Sequence, residues 1–323
     1  MFFLVSIIFG FEMRIKTVEK KTRNLIEYEQ NRNYFSNDFL NRICEELESE
    51  SMTTFPYKGF DDYFQSFYYI SPLSGKLNVN FLPESIKKHL HSVNMLCDEK
   101  FLSNNITDFK QMFDCGIENM EDYFSFYSFF NLNITDAKDL KYISNSLGLD
   151  LGDNFYRKKK LCGKNKIAYR NYDQLILDSG IVSMDLHNTF FNLEPVLDVN
   201  YIDKKLLTVI LSCPDFSINN PASKASVICS ERNNKKITSE RLRQILRVNE
   251  DALVLGLIGA KTYFYEISMS KSDMNCSAII CCENNFYAIL LIIYAYGNGR
   301  YTARFVSEYH TDKTKRLLYL SEY

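Results

Sequence analysis

Residues 1–50 read MFFLVSIIFGFEMRIKTVEKKTRNLIEYEQNRNYFSNDFLNRICEELESE, and the changes of character along this stretch decide the fold. Met1 to Phe11 is apolar apart from one Ser and one Gly. Glu12 to Arg32 is dense with charge, and Phe35, Phe39, Ile43 and Leu47 then recur every fourth residue. No Pro interrupts before Pro56, and Gly10 is the only Gly of the stretch. The spacing predicts one long helix over residues 1–50, with a greasy tip, a wet middle and an amphipathic end that packs on a folded domain.

The tip alone is too short to cross a bilayer. Eleven helical residues rise about 17 Å against a hydrocarbon core of about 30 Å. Three readings stay open: the truncated start of a membrane helix, a buried core segment, and a degenerate signal peptide without basic n-region or cleavage site. The first implies a start upstream of Met1, with roughly ten further apolar residues behind a short basic leader. That leader would also offset Arg14, Lys16, Lys20, Lys21 and Arg23, which by the positive-inside tendency draw their side toward the cytoplasm. The same five cations interleave with Glu12, Glu19, Glu27 and Glu29, a pattern suited to a partner helix over residues 12–33; simple solvation is the competing reading.

The chain has 323 residues, 46% hydrophobic and 24% charged, enough for two domains or for one with a large insertion. A net charge of −2 argues against bulk electrostatic attraction to nucleic acid. The nine Cys form no CxxC and no Cys/His quartet. Cys276, Cys281 and Cys282 cluster near the end as small buried hydrophobes or, in an oxidising compartment, disulfide partners.

Tyr57 to Ile70 is aromatic and acidic and reads as a loop leading into extended structure, closed by the turn SPLSG at 71–75. Leu77, Val79 and Phe81 alternate like a strand, and Pro83 suits a helix start. Residues 93–192 carry mostly helical spacing, with Thr135 and Asn171 as caps. Leu197-Asp198-Val199-Asn200-Tyr201 then answers Leu77-Asn78-Val79-Asn80-Phe81, each a strand-to-helix step in which a short amide can satisfy backbone donors. Helical signals run over 223–232 and, capped by Thr238 or Ser239, over 240–247. From Thr262 the period becomes two: Tyr263, Tyr265, Ile267 and Met269 share a face, and 278–282, 286–296 and 300–309 complete an antiparallel meander.

The chain contains no P-loop, GxGxxG, HExxH or nucleophile elbow, so no catalytic residues are assigned. His89 and His91 sit two apart, on different helix faces, and read as surface residues. Asp150, Asp153 and Asn154 form the densest oxygen cluster, which reads first as a capped turn; no stretch matches an EF-hand loop. The basic run Arg157 to Lys160 reads as a solvated turn.

The order of these parts resembles the K-type minor pseudopilins of type II secretion. GKLNVNFL (75–82) resembles the family's "KINLN" step, and NYDQLILDSGI (171–181) its "ELxLVxGI"-like helix. EPVLDVNYIDKKLL (194–207) is similar to the returning "INVNTAxxxVL" step, with Tyr201-Ile202 where the family has Thr-Ala. KITSERLRQIL (236–246) is similar to the "FxSxxDF" helix start, and LIGAKTYFYEISMS (257–270) to the "TSxYFxxxAxV" strand.

The resemblance implies an α+β fold: a pilin-type helix over 1–50, an α/β pseudopilin body from 51–92 and 193–323 with a C-terminal antiparallel sheet, and a helical insertion over 93–192. It implies no catalysis, no cofactor, no nucleic acid and no small-molecule substrate. The partners implied are the I- and J-type minor pseudopilins, met through the N-terminal helix. The chain would cross the inner membrane once, with its body in the periplasm. Some members bind calcium in the helical domain; no ligands are assigned here. Two other classes remain: a minor pilin of a type IV pilus or competence system, and a helix-hairpin-helix-like nucleic-acid-binding module, although the hairpin's Gly-x-Gly is missing.

Overall fold

The computed structural model describes residues 2–49, 52, 54–78, 82–95, 123–125, 130–138, 140–141, 153, 155–157, 169, 173–174, 177, 191–271, 274–283, 286–296, 299–310 and 315–322. In chain order, α1 (Phe2–Asn33), a π-helical turn (Tyr34–Phe39) and α2 (Leu40–Glu48) precede β1 (Tyr57–Asp61), β2 (Ser66–Pro72), β3 (Leu77–Asn78) and α3 (Glu84–Ser92). The short strands β4 (Phe124–Ser125), β5 (Phe130–Asn131), β6 (Phe191–Asn192) and β7 (Leu197–Asp198) follow. Then come α4 (Lys204–Leu211), α5 (Pro221–Arg232), α6 (Ser239–Leu246), α7 (Val254–Leu257) and β8 (Ile258–Gly259). The chain ends in β9 (Phe264–Lys271), β10 (Met274–Glu283), β11 (Phe286–Tyr296), β12 (Gly299–His310) and β13 (Lys315–Glu322). Two compact units result, Met1–Ser71 with Tyr265–Tyr323, and Pro72–Phe264.

In the first unit a helix lies on a sheet of order β1-β2-β9-β10-β11-β12-β13. Strands β10 to β13 form an antiparallel meander, as the period of two predicts, with β13 as a strand beyond those expected. Phe35, Phe39 and Ile43 are fully buried and Leu47 is 8% exposed, so the four-residue stripe does face the core. It packs with Phe64, Tyr68 and Ile70 of the hairpin and with Tyr265, Ile267 and Met269 of β9. The π turn was not legible from spacing. Its extra residue per turn rotates the face, so that Leu40 and Cys44 are buried beside the stripe. The rings interlock: Phe35 stacks on Phe39 at 5.4 Å, and Tyr68 meets Phe39 edge-on at 5.1 Å.

The segment read as a loop before Ile70 is instead the β1–β2 hairpin, with Tyr57 opposite Ile70 and Asp61 opposite Ser66. Gly59 faces Tyr68 in that register, and a Cβ there would lie 2.2 Å from the phenol ring. The absent side chain gives the ring its place on the strand.

In the second unit the strand-to-helix step occurs three times. Leu77-Asn78, Phe130-Asn131 and Leu197-Asp198 each form a two-residue strand, and each pairs in parallel with a later one: β3 with β4, β5 with β6, β7 with β8. A helix begins seven residues after each strand opens, at Glu84, at 137 and at Lys204. The third copy, Phe130-Asn131-Leu132-Asn133, lies inside the segment read as helical.

The polar residues of the second and third steps act alike. Asn131 Oδ1 accepts from the N–H groups of Asn133 (2.8 Å) and Ile134 (3.0 Å). Asp198 Oδ1 accepts from Asn200 N–H at 2.9 Å, while its Oδ2 takes the Thr262 hydroxyl at 2.7 Å. The Asn133 amide then accepts from Tyr169 N–H (2.7 Å) and donates to the Tyr169 carbonyl (3.1 Å). The Asn200 amide does the same with Ile237, at 2.8 and 3.2 Å. Gly256 lies against the second step: a Cβ there would be 3.0 Å from Asn133 Cβ.

Helix starts follow local chemistry. Asp203 accepts from Lys205 and Leu206 N–H, Pro221 opens α5, and Thr238 caps α6 by accepting from Arg241 N–H at 3.2 Å. Pro83 occupies the cap position itself. Asp136, not Thr135, precedes the helix after the second step, since its carbonyl accepts from Leu140 N–H.

The unit boundaries at 71/72 and 264/265 differ from the expected division at 92/93 and 192/193. The reason is pairing: Leu77-Asn78 finds its strand partner in Phe124-Ser125, within the same unit. Most of 93–192, Asn171 and residues 79–81 lie outside the described residues.

Replacing Phe39 by Ala is expected to cost about 3–5 kcal/mol of stability, read from denaturant unfolding of the full chain. Asn200→Ala leaves the Ile237 N–H and carbonyl without their partner and should cost about 1–3 kcal/mol by the same measurement, with Asn133→Ala behaving alike.

Candidate functional site

The surface best suited to contact another molecule is built around a buried carboxylate. Asp61 ends β1 and is 0% exposed. Its Oδ2 accepts from the Tyr34 hydroxyl at 2.9 Å and from Arg42 Nη2 at 2.8 Å, and its Oδ1 accepts from Phe64 N–H at 2.8 Å. Two positions of the helix, one on the π turn and one on α2, are thus held to the hairpin turn. Arg42 keeps 43% of its side chain in solvent, so the ion pair itself is partly screened. Burial, then the hydrogen bond to Asp61, pushes the Tyr34 phenol up to about 12.

This anchor fixes which face of the hairpin looks outward. The cross-strand pairs Lys58–Tyr69 and Phe60–Phe67 lie on that face. Phe60, Phe67 and Tyr69 are 48%, 51% and 46% exposed. Phe60 meets Phe67 edge-on at 5.2 Å, and Lys58 Nζ sits 4.1 Å above the Phe67 ring. β1 is an edge strand of the sheet, so these rings form an apolar face with one cation beside an open edge.

The second exposed surface is α1. Residues 16–24 are exposed throughout, and Val18 and Ile26 show 61% and 54% of their surface, two apolar residues about two turns apart among charges. Among the described residues no helix is long and apolar enough to cross a membrane.

The residues singled out in the sequence are not brought together. His89 is held in place by the Val209 carbonyl (3.1 Å) and the Ser212 hydroxyl (3.0 Å), a packing role between α3 and α4. Asp153 pairs with Lys141 at 3.5 Å, while Asp150 and Asn154 lie outside the described residues. Arg157 is exposed, and Lys158 to Lys160 lie outside them. Cys276, Cys281 and Cys282 are buried free thiols on β10. Among the described residues no group of three His, Cys, Asp or Glu could hold a metal. A recess beside α5 and α6 is lined by Glu231, Lys235, Lys236 and Arg241, and there Arg241 is held by Glu231 at 2.8 Å.

Sequence reasoning missed Asp61, because FDDYF reads as an acidic surface turn. The available signal was the hairpin's alternation, which places Asp61 on the same face as Tyr57 and Gly59.

No known family model matches the chain, and no curated protein is detectably similar to it.

The Tyr34–Asp61 bond gives a pH test. Because the folded phenol titrates above its unfolded value of 10.0, the stability it contributes is complete below pH 10 and declines as pH rises toward about 12. The stability gap between wild type and Tyr34→Phe, followed by chemical unfolding, should therefore be constant up to pH 10 and narrow above it.

Proposed function

We propose that the chain is a non-catalytic, K-type minor pseudopilin that acts at the tip of a type II secretion pseudopilus, begins its assembly, and so supports protein export. The observation that carries this reading is the helix. Its last turns bury Phe35, Phe39, Ile43 and Leu47 on a sheet that ends in an antiparallel meander, while its preceding turns stay exposed and charged. A subunit built this way displays a helix for lateral packing and a body to cap a fibre. The unit Pro72–Phe264, with its repeated steps, is carried between two parts of the sheet-bearing unit, which matches the family's plan of a pilin body interrupted by an insertion.

On this reading the apolar residues before Glu12 belong to the inner-membrane anchor, the body lies in the periplasm, and residues 12–33 meet the I- and J-type subunits. Val18 and Ile26 are the apolar contacts available there, and the mixed charges set register, since exposed ion pairs contribute only about 0–1 kcal/mol each.

Photo-cross-linking residues placed at Val18 and at Ile26 of the full chain, expressed with its genomic neighbours, should capture I- and J-type minor pseudopilins. Capture of neither, in cells where those two proteins cross-link to each other, would overturn the assignment. Deletion of the gene should also abolish export by the system while leaving the exported proteins in the periplasm.

A further inference from the structure

We propose that Cys44 and Cys282 are disulfide partners and that their bond ties α2 to β10. Cys44 sits on α2 beside Ile43 of the buried stripe and is fully buried, and Cys282 near the end of β10 is 8% exposed. Both belong to the core between helix and sheet. The Cys44 thiol is hydrogen-bonded to the Cys282 thiol.

The alternatives among the described cysteines are out of reach. Cys276 shares the inner face of β10 but lies six residues away, about 20 Å along a strand, whereas bridged Cα atoms stand only about 4.4–6.8 Å apart. Cys281 is buried but, unlike Cys282, is not part of that core. Cys213 and Cys229 belong to the other unit.

Formation of the bond is a two-electron oxidation. The two thiols release two protons and two electrons, one S–S bond forms, and a disulfide oxidant of the glutathione type is reduced to two thiols. Exchange needs a thiolate, and burial, followed by the hydrogen bond to Cys282, pushes the Cys44 thiol well up. The reaction therefore belongs to the folding chain, before α2 is seated, and is slow in the reduced native protein. The bond would close a loop through both units, a constraint acting mainly on the unfolded chain. This inference is independent of the assembly role: it follows from the core alone, and an oxidising compartment is needed only for the bond to persist in the cell.

The test is refolding of the full chain in glutathione buffers from reducing to oxidising, with alkylation, tryptic digestion and mass spectrometry without reduction. In oxidising buffers the peptide 43–58 should be joined to the peptide 272–300, and the bond should form far more slowly when oxidant is added to folded protein. The link should survive in Cys276→Ala/Cys281→Ala and vanish in Cys282→Ala. Fragmentation of the wild-type linked peptide assigns the sulfur directly, so the result does not depend on any variant folding. Cys44 alkylated in every buffer, or linked to a sulfur other than that of Cys282, would overturn the proposal.

Discussion

A side-chain amide that satisfies both backbone groups of a distant residue is the interaction on which residues 72–264 depend. Strands of two residues carry too few ladder bonds to fix a topology, and Phe130-Asn131 and Leu197-Asp198 are no longer than that. Asn133 and Asn200 supply what the ladders lack. Each reaches 36 or 37 residues along the chain and takes the N–H and carbonyl of Tyr169 or Ile237. Both residues so held are buried, where an unpaired backbone group is most costly. The acidic or amide residue two positions earlier holds the turn itself. One short motif thus sets a local turn and a long-range contact together, which explains why it recurs while the residues between its copies differ.

The other unit is organised by the same economy of buried polar groups, with a charge in place of an amide. Asp61 carries no surface exposure yet is bound by a phenol, a guanidinium and a backbone N–H. Hydrophobic burial along the stripe is non-directional and would tolerate a helix sliding by a turn. The hydrogen bonds at Tyr34 and Arg42 do not tolerate it. The π turn reconciles the two demands, placing Tyr34 and Arg42 at one carboxylate while Phe35, Phe39 and Ile43 stay in the core.

What was legible in the sequence follows from this division. Periodic apolar burial leaves a periodic trace, so the stripe at Phe35 to Leu47, the alternation from Tyr263 to Met269 and the meander could be read directly. Caps such as Thr238 were legible because their chemistry is local. Asp61 was hidden because its partners lie 27 and 19 residues away and its neighbours look like a surface turn. The third copy of the step was hidden because a two-residue strand is shorter than any period, so Phe130-Asn131 dissolved into the helical spacing around it. The division into units followed from strand pairing, which two residues of sequence cannot announce. The assembly surface was legible only as charge and exposed apolar residues, since nothing in one chain specifies the face of its partner.

The exposed helix and the packed helix are one continuous element with two different sources of stability. From Phe35 onward the helix is held by core packing. Before Asn31 it is held, within the chain, by little more than propensity and a few exposed ion pairs such as Arg32–Glu29 at 3.9 Å. Helices in water owe most of their stability to burial of an apolar face, and a long helix without it frays from its free end. Val18 and Ile26 remain exposed on a segment whose other residues are well solvated, so they cost nothing in solubility but contribute nothing to the monomer. In the assembly proposed, a neighbouring helix supplies the missing burial. The anchor at Asp61 then acquires its role: it fixes the direction in which the helix leaves the body, so that pairing along residues 12–33 determines where the body is held.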